Sequence, residues 1–160
     1  YANKIIIPTH SAEGTLEYFV ARSFEKEPSR KYDAPSSDKN LIGFENMINW
    51  NVPIVLCEGA FDAIAIKRNA IPLFGKNISR KLMQKLVTSD VKKVYLALDS
   101  DAIKATYKIA DQLLKAGKKL FVIELDDKDP ADMGFALFTN KIQEAQEFTF
   151  SSLLNLKLSI

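Results

Sequence analysis

The stretch KKVYLALDSDAIKAT, residues 92–106, decides the fold. An apolar run from Val94 to Leu98 ends abruptly in Asp99 and Asp101, with only Ser100 between them. A continuous apolar run of this length is the pattern of a strand covered on both faces. Two carboxylates so close repel one another, and burial would force protons onto them. Either the strand emerges into water there, or something positive lies between the two acids.

Working outward, the same texture recurs. VPIVLCEG (52–59) is a second apolar run, bounded by Pro53 and Gly59, and KKLFVIEL (118–125) is another. IPLFG (71–75) reads as a short strand. Between these runs lie helical patterns: AFDAIAIKRN, SRKLMQKLVTSD with Ser79 placed as a cap, and AIKATYKIADQLLKAG, which stops at Gly117. Strand–helix alternation of this kind predicts a parallel sheet wrapped by helices, with right-handed crossovers. Residues 1–50 differ. They read as short strands and loops, with a hairpin at Gly14, a turn-rich polar connection around Pro28 and Pro35, and one short helix over LIGFENMINWN. Short helical segments are expected to finish the chain.

Composition sets outer bounds. The 160 residues are 47% hydrophobic and 26% charged with a formal net charge of +2, which fits a soluble domain with a real core. Overall charge announces no nucleic-acid binder, so any such role must come from local patches. No apolar stretch approaches the roughly 20 residues that span a bilayer. The single Cys57 and single His10 all but exclude a structural zinc site and point to a reducing cytoplasm. Cys57 is read as core packing and His10 as part of a surface loop. Because the chain opens directly on a strand-like segment without an initiator methionine, a piece of a longer protein is expected.

In an open parallel sheet, ligands bind outside the carboxyl ends of the strands. Glu58 ends one strand there, Asp99 and Asp101 another, and Asp129 and Asp132 follow a third in the acidic loop DDKDPADMG (126–134). Asp62 falls one helical turn beyond Glu58. Acids after strands are common, because Asp favours turns and helix starts, so helix capping stands beside metal ligation for Asp101, and a solvated loop does for Asp126, Asp127 and Asp132. Three strand ends delivering acid to one edge favour a hard divalent cation bound by oxygen.

LCEGAFDAI, ALDSDA and DKDPADMG, in this order on this strand pattern, resemble the Toprim domain shared by DnaG-type primases, topoisomerases, small nucleases and recombination mediators. Finer features resemble the primase branch: KIIIPT, EYFVAR, SRKYDAP, DKNLIGFE, LFGKNIS and EAQEFTFSSLL run through almost the whole chain. The resemblance implies a Toprim α/β fold, with a four-stranded mainly parallel sheet flanked by helices and a small N-terminal β-rich subdomain. It divides the chain into a partial β-rich polymerase-core part (1–50), a Toprim domain (51–138) and a C-terminal helical segment (139–160). The implied function is template-directed synthesis of RNA primers on single-stranded DNA from nucleoside triphosphates. Mg2+ or Mn2+ would sit on Asp99 and Asp101, with Asp62, Asp129 and Asp132 joining and Glu58 serving as ligand or general base. Arg22, Lys31 and Lys39 would meet phosphates. The resemblance further implies a replicative helicase partner reached through regions outside these residues, in the cytoplasm of a bacterial or phage-infected cell. A Toprim nuclease and a non-catalytic DNA-binding module are the alternatives. Ser100 replaces the glycine of the family's Asp-Gly-Asp, and Ile103 and Lys104 stand where a following Ala-Gly is expected, a divergence that looks viral and implies weaker or altered activity.

Overall fold

The computed structural model describes residues 1–125 and 128–158. Its centre is a five-stranded sheet of order β5-β4-β6-β7-β8, built from β4 (Ile54–Cys57), β5 (Ala70–Pro72), β6 (Lys93–Ala97), β7 (Lys119–Val122) and β8 (Glu147–Phe148). The first four strands in this order are parallel, and β8 joins β7 antiparallel. The expected four parallel strands are thus present, with a fifth added at the edge. A two-residue strand carries too little periodicity to be read from sequence, and only its pairing with Leu120 and Phe121 reveals it.

Helices cover both faces: α1 (Ala60–Ile66), α2 (Arg80–Thr88), α3 (Ile103–Lys115), α4 (Pro130–Glu144) and α5 (Phe150–Leu158). The side-chain period of two splits each strand between two cores. Ile54, Leu56, Val94 and Leu96 face one layer, with Leu82 and Leu86 of α2, Ile109 and Leu113 of α3, and Leu153 of α5. Val55, Cys57 and Ala97 face the other, with Ala63 and Ile66 of α1 and Phe138 of α4. This two-sided burial is why the strands read as unbroken apolar runs. Local signals agree. The Ser79 hydroxyl accepts from the Leu82 amide, capping α2. After α3, Gly117 takes a left-handed φ of 74°, and the amides of Gly117 and Lys118 reach back to the carbonyls of Leu114 and Leu113.

A separate three-stranded antiparallel sheet holds β1 (Lys4–His10), β2 (Leu16–Ser23) and β3 (Tyr32–Asp33). Gly14, with φ 85°, makes the hairpin turn between the first two. His10 closes β1 instead of lying in a loop. The helix expected over LIGFENMINWN is a single 3-10 turn at Glu45–Met47. Phe44 enters it with a left-handed φ of 56°, and Gly43 lies so close to Pro72 that a Cβ would stand 2.4 Å from its carbonyl oxygen. Burial of residues 41–45 against β5 overrides helix propensity there. The acidic loop is shorter than read, because α4 starts at Pro130, a residue suited to the first helical position. Asp126 and Asp127 lie outside the described residues. Among the described residues, no helix is long and apolar enough to cross a membrane.

Gly43→Ala forces a methyl group into the Pro72 backbone, and overpacking of this kind costs about 1–3 kcal/mol. Urea unfolding should show the midpoint falling accordingly, with unchanged slope.

Candidate active site

Parallel pairing of β4 with β6, in register at Cys57 and Ala97, sets the ends of these two strands side by side. The chain leaves β4 into Glu58 and leaves β6 towards Asp99. The Glu58 Oε1 accepts a hydrogen bond from the Asp99 amide at 3.1 Å, lacing the two strand ends together. A 3-10 turn at Ser100–Ala102 then carries Asp101 back towards them. One carboxylate oxygen from each of Glu58, Asp99 and Asp101 lies within 4.8 Å of the others. Burial, above all, raises the proton affinity of Glu58, and the Asp99 charge adds to it. Asp99 is raised for the same first reason, then by Asp101 and Asp129. Three converging hard oxygens that repel one another match the donor set of a divalent cation such as Mg2+, Mn2+ or Ca2+.

Asp101 does not cap the following helix. Its Oδ2 instead accepts from Lys76 Nζ at 2.5 Å. Lys76 drew no notice in the sequence, since a lysine in a polar turn reads as ordinary surface charge.

The other three predicted acids lie nearby but outside this group of three. Asp62 is buried in the first turn of α1, where Oδ2 accepts from the Gly59 amide at 2.9 Å and Oδ1 from the Ala131 amide at 3.3 Å. It thereby ties α1 to the start of α4. Burial, then the Asp129 charge, pushes its carboxyl up to about 6 despite those two amides. Gly59 itself has an extended backbone, so its role is not a special turn: a Cβ there would stand 2.9 Å from Asp62 Oδ2. The Asp129 carboxylate caps α4 by accepting from the Asp132 amide at 2.7 Å. Asp129 and Asp132 share a hollow of about 320 Å³ with Asp99 and Asp101.

Basic and aromatic side chains share the cleft with the acids. One cleft of about 480 Å³ is lined both by Arg22, Lys31 and Lys39 and by Asp33, Glu58, Asp62, Asp99, Asp129 and Asp132. The Arg22 guanidinium sits 4.7 Å from the Phe61 ring centre and 5.5 Å from that of Tyr32. Lys31 lies 5.7 Å from the Tyr32 ring, and Lys39 donates to the Phe74 carbonyl at 2.8 Å. Rings so placed hold cations by their quadrupole and orient them. All three predicted basic residues therefore share the cleft with the acids. The rings of Tyr18, Tyr32, Phe61 and Phe74 were missed. Period-two alternation along β2 puts Tyr18, Val20 and Arg22 on one face, a signal that could have found the first of them.

Residues 55–133 match the family model described as Toprim-like. An uncharacterized protein of Mycoplasma genitalium is 30% identical over 74% of this chain and 59% of its own length. The DNA primase of Thermotoga maritima is 27% identical over 71% of this chain and 22% of its own. The chain thus spans little more than half the length of the first of these relatives, and less of the second. Among solved structures, the E. coli primase catalytic core superposes with a TM-score of 0.75 at 19% identity, covering 98% of this chain and 56% of that one. A DnaG primase catalytic domain bound to single-stranded DNA gives 0.77 at 19% identity, over 98% and 55%.

Asp62 generates a pH dependence. A carboxyl raised in the folded state above its unfolded value near 3.8 favours folding at low pH, and the advantage is lost as pH rises through about 6. With divalent cations chelated, stability should fall by on the order of 2 kcal/mol between pH 4 and pH 7. In Asp62→Asn the fall over this segment should be clearly smaller, leaving the part contributed by the raised carboxyls of Glu58 and Asp99.

Proposed function

We propose that this chain, whose residues 55–133 are a Toprim domain of the kind found in DnaG-type primases, serves metal-dependent, template-directed synthesis of RNA primers on single-stranded DNA. In this reading residues 1–50 belong to a β-rich polymerase-core part, 51–138 form the catalytic domain, and 139–160 close its far edge. A replicative helicase would be met through regions outside these residues, in the cytoplasm.

The observation that carries the reading is the shared cleft. A cluster of carboxylates alone would serve equally well for cutting a phosphodiester. Here Arg22 of β2 and Lys31 and Lys39 from the segments flanking β3 line the same cleft as the acids, each beside an aromatic ring. Primer synthesis needs both: a hydroxyl at a growing 3′ end attacks the α-phosphate of a nucleoside triphosphate, and pyrophosphate leaves. Guanidinium and ammonium groups suit the triphosphate and the template backbone. The exposed Tyr32 ring offers a face on which a base can stack.

Glu58, Asp99 and Asp101 would hold Mg2+ or Mn2+, with Asp129 and Asp132 close enough to take part through the neighbouring hollow. When bound, such an ion neutralises phosphoryl charge and aligns attacking and leaving oxygens. Glu58 Oε1 is engaged by the Asp99 amide, which leaves Oε2 for a ligand or for the proton of the attacking hydroxyl. Asp62 holds α1 and α4 in place beneath the cleft, and the same carboxylate would join the cation cluster if the two amide bonds yield. Ser100 in place of the family's glycine still permits the 3-10 turn that brings Asp101 back to Asp99.

Incubation with single-stranded template and labelled nucleoside triphosphates in Mn2+, run beside a nuclease assay, tests the proposal. Short RNA products should form, and Asp99→Asn should lower their yield by at least about 100-fold while leaving the unfolding curve close to wild type. Template degradation without primer formation would instead support a nuclease.

A further inference from the structure

The loop after β5 brings a positive charge to the acidic rim from outside the cleft. Gly75, with φ 141°, donates its amide to the Glu58 carbonyl at 3.2 Å, so this loop is pinned to the same strand end that carries the acids. The next residue, Lys76, places Nζ 2.5 Å from Asp101 Oδ2. Asp101 differs from Glu58 in how it is held. The Glu58 carboxylate is fixed by a main-chain amide, whereas Asp101 makes no helix-capping bond and has the Lys76 ammonium as its partner.

Three carboxylates with oxygens inside 4.8 Å repel one another unless a positive charge stands among them. Lysine suits a temporary stand-in: a compact point charge on a flexible four-carbon stem. Both side chains of the pair are substantially exposed, 44% and 69%, and exposed ion pairs are weak. The bond can therefore form and yield without disturbing the core.

We propose that Lys76 is a built-in counter-cation of the rim, which holds Asp101 beside Glu58 and Asp99 in the metal-free protein and surrenders it when a divalent cation binds. The inference rests on the reading of Glu58, Asp99 and Asp101 as a cation site. It assigns to Lys76 a positioning role and makes metal affinity a competition between a tethered ammonium and a free ion. The device lowers affinity for the metal while keeping the empty site assembled.

Mn2+ binding to the full chain at low ionic strength, followed by the paramagnetic resonance of free Mn2+, tests this across four proteins. K76M should bind Mn2+ about two- to fivefold more tightly than wild type, the span expected from removing a competing exposed ion pair. K76E should bind more tightly still. K104M removes an equal charge from the hollow beside Asp101, where Lys104 is a neighbour of Lys76 but is not bonded to Asp101, and should stay near wild type. Without metal, K76M should melt lower than K104M, and saturating Mn2+ should abolish the difference. Equal affinity in wild type and K76M, or an equal gain in K104M, overturns the role of Lys76 while leaving the cation site standing. Absence of Mn2+ binding in all four overturns the cation site itself, and the inference with it.

Discussion

One hydrogen bond, from the Asp99 amide to the Glu58 carboxylate, holds the site together. It crosses from the end of one parallel strand to the end of its neighbour, and it exists only because Cys57 and Ala97 are in register. A shift of one residue would turn every side chain of β4 to the other face of the sheet. The two-sided hydrophobic core that fixes this register therefore also fixes the spacing of the acids. Packing and chemistry meet at one point. The core forces carboxylates together at the rim, and their repulsion has to be met by protons, by Lys76 or by a bound cation.

The charges around the cleft are sorted in space. Most of the acids come from the parallel sheet and its following turns, while Arg22, Lys31 and Lys39 come from the N-terminal region, whose own acid at the cleft, Asp33, is paired with Lys4 and Arg30. A net charge of +2 conceals this separation. Aromatic rings at Tyr32 and Phe61 hold Arg22 at the cleft, and among the described residues none of Arg22, Lys31 and Lys39 is salt-bridged to these acids. Ion pairs that do form, such as Lys4 and Arg30 with Asp33, lie within the antiparallel sheet region.

Much of this was legible in the sequence, for a physical reason. Strands buried on both faces must be apolar throughout, so β4, β6 and β7 stood out, and the acids that end them could be assigned to one edge. Ser79 and Gly117 marked helix boundaries through capping chemistry that is local. What escaped was non-local. The edge strand at Glu147–Phe148 exists only through pairing with β7. The turn at Glu45–Met47 replaces a helix because Gly43 packs on Pro72, a contact between residues far apart in the chain. The Asp62 bond to the Gly59 amide is a local helix-start relation, three residues apart, but nothing local reveals its second partner, the Ala131 amide 69 residues on. Lys76 likewise gains meaning only from Asp101, 25 residues later.

The central claim is that carboxylates from separate strand ends converge on one cation. Anomalous diffraction from a crystal soaked in Mn2+ tests it most directly. A peak bounded by Glu58, Asp99 and Asp101 is expected, with Asp129 and Asp132 on its open side. A fully occupied peak elsewhere, or those three side chains turned apart with no peak between them, would contradict the account.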